Sequence, residues 1–168
     1  MTEECNILWL IPFLPAVGAL INGAFGYHLH RRIGEKAVHA VAVTLPWLSF
    51  VLAVVAFFRL QGHEEGTVLV DHLWEWVAVG GFRADLAFSM DALSAMMTLA
   101  VTFVGSLIHV YSIGYMHKAR SYWRFFCYMN LFMFAMLVLV LGDNLLLMFV
   151  GWEGVGLCSY LLIGFWYE

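Results

Sequence analysis

The sequence predicts an all-α polytopic membrane protein: five transmembrane helices and one outer loop long enough to hold a short extramembrane β-hairpin. Three observations lead there. Only 12% of the 168 residues are charged and 63% are hydrophobic, whereas a soluble domain carries about 25% charged residues. The apolar residues are gathered into five runs, most of them near the ~20 residues a helix needs to cross a bilayer. Tyr, Trp and Phe reach 17% of the chain, and many stand at the ends of the runs, where amphipathic rings anchor among headgroups.

The first span covers about 7–29. Pro12 and Pro15 fall in its early turns, and their missing N–H groups predict a kinked or irregular start. Glu3 and Glu4 precede this span, where a cleavable signal would carry positive charge; the helix is expected to be retained. The second span, about 37–59, contains Pro46, whose freed carbonyl needs a partner from a neighbouring helix. Residues 60–88 are too polar to cross and form the outer loop. In it, TVLV and WEWVAV precede Gly80-Gly81, and FRADLAF follows, the pattern of a hairpin. The third span runs over about 89–112, the fourth over 125–141 and the fifth over 144–166.

Charge sets the direction of threading. Arg31, Arg32 and Lys36 face only Glu35 in the first connection, and Lys118, Arg120 and Arg124 face no acid in the third. The outer loop instead holds Glu64, Glu65, Asp71, Glu75 and Asp85 against Arg59 and Arg83, and the fourth connection holds Asp143. Five crossings place both basic connections on one side, which the positive-inside rule makes cytoplasmic. The N-terminus is then outside and residue 168 inside. No basic patch suggests nucleic acid, and the partner implied by composition is the lipid bilayer.

One carboxylate stands apart. From Asn144 to Trp166 the only charged side chain is Glu153, about 14 Å into a helix rising 1.5 Å per residue and so close to the membrane midplane. An acid there costs about 2.5–3.5 kcal/mol to insert on translocon scales, and intramembrane acids are usually functional. A proton relay, with protonation governed by a nearby lysine, is one reading; a neutral Glu hydrogen-bonded across helices is the other. Gly151, Gly154 and Gly156 beside it suit either close helix contact or a small hydrated gap. His109, three-quarters along the third span, is a second relay candidate, because imidazole exchanges protons near neutrality; donation to a neighbouring carbonyl is its plainer role. Asp91 and Asp143 precede helices and read as caps. Cys5, Cys127 and Cys158 lack metal-ligand spacing, and no motif for a cofactor or metal occurs.

The segments DALSAMM (91–97), LIHVYSIGYM (107–116), RFFCYMNLF (124–132) and LVLVLGDNLLLMFVGWEGVGLCSYLLIGFWY (137–167) closely resemble the antiporter-like subunit L, or chain 5, of respiratory NADH:quinone oxidoreductase (complex I). The resemblance is nearly continuous from Trp74 to Tyr167 and extends over the N-terminal part of that family's longer chain. It implies that Glu153 matches the family's key glutamate, whose lysine partner lies on a later helix. It also implies NADH, FMN, iron–sulfur clusters and quinone in partner subunits, with none in this chain. The expected partners are other membrane subunits, above all the paralogous antiporter-like ones. The expected place is an energy-transducing membrane, a bacterial inner membrane ahead of a mitochondrial one. Two other functions remain in play: a subunit of a multisubunit sodium/proton antiporter, which shares the architecture, and a structural bundle without a transport path.

Overall fold

A computed structural model describes residues 1–117 and 119–166. The order is β1 (Thr2–Glu4), α1 (Leu10–Arg32), α2 (Glu35–Gln61), β2 (Val68–Val79), β3 (Phe82–Met90), α3 (Ala92–Tyr115), α4 (Tyr122–Leu141) and α5 (Leu145–Ile163), followed by one 3-10 turn, Gly164–Trp166. Five helices are therefore long and apolar enough to cross a membrane. Helix α4 sits at the centre, packed against the other four, while α5 packs against α4.

The three strands form one sheet, in the order β1-β2-β3, at the end of the bundle where α1, α3 and α5 begin. The expected hairpin is present: β2 and β3 pair antiparallel from Leu69↔Met90 to Val79↔Phe82. Its two-residue turn is Gly80-Gly81, with Gly80 at φ +59°, the left-handed start that hairpin turns require and glycine adopts freely. TVLV and WEWVAV are not separate pieces, since β2 runs without a break from Val68 to Val79, with two bulges along it and Thr67 just outside. The parallel strand β1 was not legible in the sequence, because three polar residues carry no alternation.

Hydrogen bonds fasten this sheet to the helix ends. The buried Asp71 carboxylate accepts from the Trp9 amide at 3.1 Å, where α1 begins. Asn144 donates to the Asp85 carbonyl at 2.7 Å, and the Asp143 amide donates to the Ala87 carbonyl at 3.1 Å. Asp91 caps α3 as expected, accepting from the Ser94 amide at 2.7 Å. This cap starts the helix at Ala92, later than the expected residue 89, because Ser89 and Met90 complete β3. Asp143 does not cap α5. Asn144 does, with its side-chain oxygen 3.0 Å from the Leu147 amide, since α5 begins at Leu145 and the residue just before the first turn is the one whose side chain reaches its free amides.

At the opposite end, His117 and Glu35 join the two basic connections at 2.7 Å. The interior between the ends has three parts. An apolar cluster of Leu8, Ile11, Leu69, Met90, Leu137 and Leu141, among others, lies under the sheet. A smaller one, with Val38, Met116, Tyr122, Phe126 and Phe165, lies toward the basic end. A third set of fully buried side chains is polar and is spread along the helices: Asn22 on α1, Ser49 on α2, Thr98, Thr102 and Ser106 on α3, and Asn130 on α4.

Ser49 has a definite task. Pro15 has no N–H to give the Ile11 carbonyl, its normal partner four residues back, and the Ser49 hydroxyl donates to that oxygen at 2.6 Å. Ser49→Ala leaves a buried carbonyl unsatisfied, so the folded subunit should lose about 1–3 kcal/mol. Thermal unfolding in detergent measures the loss, and an unchanged midpoint would show that Pro15 leaves nothing to repair.

Candidate functional site

Helix α5 meets α4 through a narrow seam of small side chains. Leu147, Gly151 and Cys158 are buried on it, and Gly154 lies beside Ala135. A Cβ built on Gly151 would fall 2.5 Å from the Leu139 nitrogen and 2.7 Å from its Cα. Glycine is required there by close approach of two backbones. Gly156 differs from the other two: a Cβ on it meets nothing within 4 Å.

Glu153 lies off this seam, rotated about 130° around α5 at 100° per residue. It is exposed, together with Phe149, Trp152, Leu157 and Tyr160. Its depth is that of the helix centre, about 12 Å from Leu145 along the axis. Among the described residues no hydrogen bond or ion pair reaches it, and the alternative of a carboxyl joining helices within this bundle is not what the geometry displays. An isolated acid on an apolar face can hold or release a proton as its surroundings change, since burial favours the neutral form and a nearby cation the charged one.

His109 is placed differently. It is 1% exposed inside the bundle, and Nδ1 lies 2.7 Å from the Gly105 carbonyl. A carbonyl only accepts, so Nδ1 carries the hydrogen and Nε2 is left with its lone pair. No group among the described residues bonds Nε2. Helix α3 packs on α2 and α4, whereas Glu153 stands on the open side of α5. The two candidates are not brought together.

Two features near His109 escaped the sequence reading. Apart from Ala95, the buried face of α3 is polar throughout, with Thr98, Thr102, Ser106, His109 and Ser112. The signal was present as one polar residue per turn at spacings of three and four, but Ser and Thr are common in membrane helices as packing residues. The second feature is a pair at the basic end, His39 Nδ1 at 3.1 Å from the hydroxyl of the buried Tyr122. No group of three or more metal-ligating side chains occurs among the described residues.

Residues 76–126 match the family described as NADH-ubiquinone oxidoreductase (complex I), chain 5 N-terminus. Residues 142–168 match the one described as NADH:quinone oxidoreductase/Mrp antiporter, TM. Together these matches cover β3, α3, the first five residues of α4, and α5 with Glu153. The chain belongs to the antiporter-like subunit L/chain 5 family and represents its N-terminal region. It is 43% identical over 97% of its length to NADH-quinone oxidoreductase subunit L of Rickettsia bellii, of which it covers 24%. NADH-ubiquinone oxidoreductase chain 5 of Triticum aestivum is 40% identical over 94% of the chain, which covers 23% of it. A third relative, NAD(P)H-quinone oxidoreductase subunit 5 of the Paulinella chromatophora chromatophore, is 38% identical over the whole chain and 25% covered. The chain thus spans about a quarter of the length of the subunit L/chain 5 relatives it matches.

Proposed function

We propose that this chain is the N-terminal region of a proton-translocating membrane subunit of NADH:quinone oxidoreductase, with Glu153 as a proton carrier. The observation that supports the carrier role is a single carboxylate at mid-depth on a helix face that the described helices leave open. The subunit holds no redox group in this reading. NADH, FMN, iron–sulfur clusters and quinone act in partner subunits, and the chain has no independent activity. Glu153 takes a proton while its surroundings are apolar and gives it up when a cation approaches from outside this bundle. Such exchange links proton uptake to movement of the neighbouring helices.

The second reading is a subunit of a sodium/proton antiporter, favoured only by the shared name of the family matched by residues 142–168. A purely structural bundle has less support, because Glu153 binds no helix among the described residues. Purification of the full-length protein in mild detergent separates the first two. Recovery with subunits that oxidise NADH supports the quinone reductase; recovery with small membrane subunits alone and no NADH oxidation selects the antiporter.

The proposed place is an energy-transducing membrane, with the hairpin outside and the basic connections on the cytoplasmic or matrix side. Relatives occur in bacteria and in plants, so similarity gives no support to the bacterial preference. A cysteine at Glu65 should react only with reagent added outside, and one at Arg120 only from the other side. Labelling of both from one side would remove this orientation.

A further inference from the structure

Of the three glycines around Glu153, α4 explains two. Gly151 and Gly154 meet Leu139 and Ala135 across the seam. A Cβ on Gly156 meets nothing within 4 Å among the described residues, and the residue is exposed. Glycine inside a helix costs about 1 kcal/mol against alanine, so something other than packing within α1–α5 has to favour it.

Its neighbours separate the two uses a bare helix position can have. Close contact between helices needs small residues about one turn apart, so that backbone lies along backbone. The seam with α4 has that pattern in Gly151, Gly154 and Cys158. Gly156 has the reverse. Trp152 stands four residues before it and Tyr160 four after, both exposed, one turn above and one turn below on the same face. A helix lying along α5 would meet these rings before its backbone reached Gly156. What remains is a notch with a glycine floor, and Glu153, three residues before the glycine, lies on its rim.

The notch also gives the carboxylate a direction. Helix α5 runs from the sheet, where Asn144 bonds Asp85, toward the basic end. Helical side chains lean toward the N-terminus of their helix, so a side chain at position 156 would lean over the turn that carries Glu153. On the sheet side the positions one turn from Glu153 hold Phe149 and Val150; on the basic side they hold Gly156 and Leu157. Two turns on, about 10 Å along the axis, Tyr160 brings a hydroxyl that both donates and accepts.

We propose that Gly156 is a positioning residue for proton exchange: its missing side chain keeps open a hydrated notch through which Glu153 takes and returns its proton from the basic end. The proposal rests on Glu153 as the proton carrier. In the exchange a protonated water in the notch gives its proton to the carboxylate. One O–H bond breaks at the water, one forms at the carboxyl, and the two charges cancel. Release runs the same step backwards, and the Tyr160 hydroxyl holds the water from below.

Sealed vesicles of either orientation, carrying the complete assembled complex, test access without reading activity. A water-soluble carbodiimide, which couples to protonated carboxyl groups, should modify wild-type Glu153 when added on the basic side and not from the other. Gly156→Cys should react with a membrane-impermeant maleimide from the basic side alone. Gly156→Val should assemble to wild-type amounts, slow the carbodiimide reaction on the order of tenfold or more, and lower coupled proton movement by a similar factor. Modification of Glu153 from the outer side alone, an unreactive Gly156→Cys, or an unchanged carbodiimide rate in Gly156→Val would overturn the notch. Failure of Gly156→Ala to assemble would assign this glycine to a helix contact and overturn it equally. The carrier reading is judged apart from all of these: wild-type proton movement by Glu153→Gln would remove it without altering the labelling at position 156.

Discussion

Glu153→Gln in the full-length subunit is expected to assemble normally and to lower coupled proton movement on the order of 10²-fold, the lower range for loss of a positioned proton-transfer group. Gln keeps the size of the side chain and its hydrogen-bonding capacity, and removes only titration. Glu153→Asp keeps titration and draws the carboxyl back by one methylene, so it should retain a measurable part of the movement. A packing role predicts the opposite order, with Gln tolerated and Asp impaired by its shorter reach. The exposed position on α5 sharpens this contrast. Within α1–α5 the side chain has no partner to lose, so damage from Gln cannot be ascribed to a broken contact inside this region. The measurement is proton movement into vesicles carrying the assembled complex, at equal subunit content, set against NADH:quinone turnover. Wild-type proton movement by assembled Glu153→Gln would end the carrier assignment.

The parts of this molecule that were legible in the sequence follow simple periodic rules. Five apolar runs gave five helices, Gly80-Gly81 between alternating segments gave the hairpin, and Asp91 before an apolar run gave a cap. The misses have physical causes. Strand β1 is held by pairing to β2, a long-range contact that leaves no local pattern. Asp143 and Asn144 are adjacent and both cap well, so only the register of α5 against α4 decides between them. Glu153 was conspicuous by charge, but its position off the seam depends on which face the glycines give to α4. The polar face of α3 was visible as spacing and unremarkable as chemistry, until burial showed that Leu93, Met96, Val104 and Tyr111 stand exposed on the outside of these helices while the interior receives Thr98, Thr102 and Ser106.

The second large effect is expected at the α4–α5 seam. Gly151→Ala adds one methyl group, which in an exposed helix would be favourable by about 1 kcal/mol through helix propensity. Here the methyl would come within 2.5 Å of a backbone nitrogen. Backbone cannot rotate away as a side chain can, so α5 has to move as a body. Overpacking of this kind costs about 1–3 kcal/mol, and a larger residue such as Leu should separate the helices altogether. Gly105→Ala is the matched control. It also faces α4, but its new methyl meets the Met133 sulfur at 3.4 Å, the end of a flexible chain that can adjust. Expression of the full-length subunit followed by thermal unfolding and recovery of assembled complex should rank Gly105→Ala near wild type, Gly151→Ala clearly lower, and Gly151→Leu unassembled. Because α5 bears Glu153, any Gly151 variant that does assemble should also move protons poorly, with its carboxylate displaced along with the helix. Equal stability of Gly105→Ala and Gly151→Ala would mean that the two helices do not approach through backbone, and the orientation of Glu153 argued from that seam would fall with it.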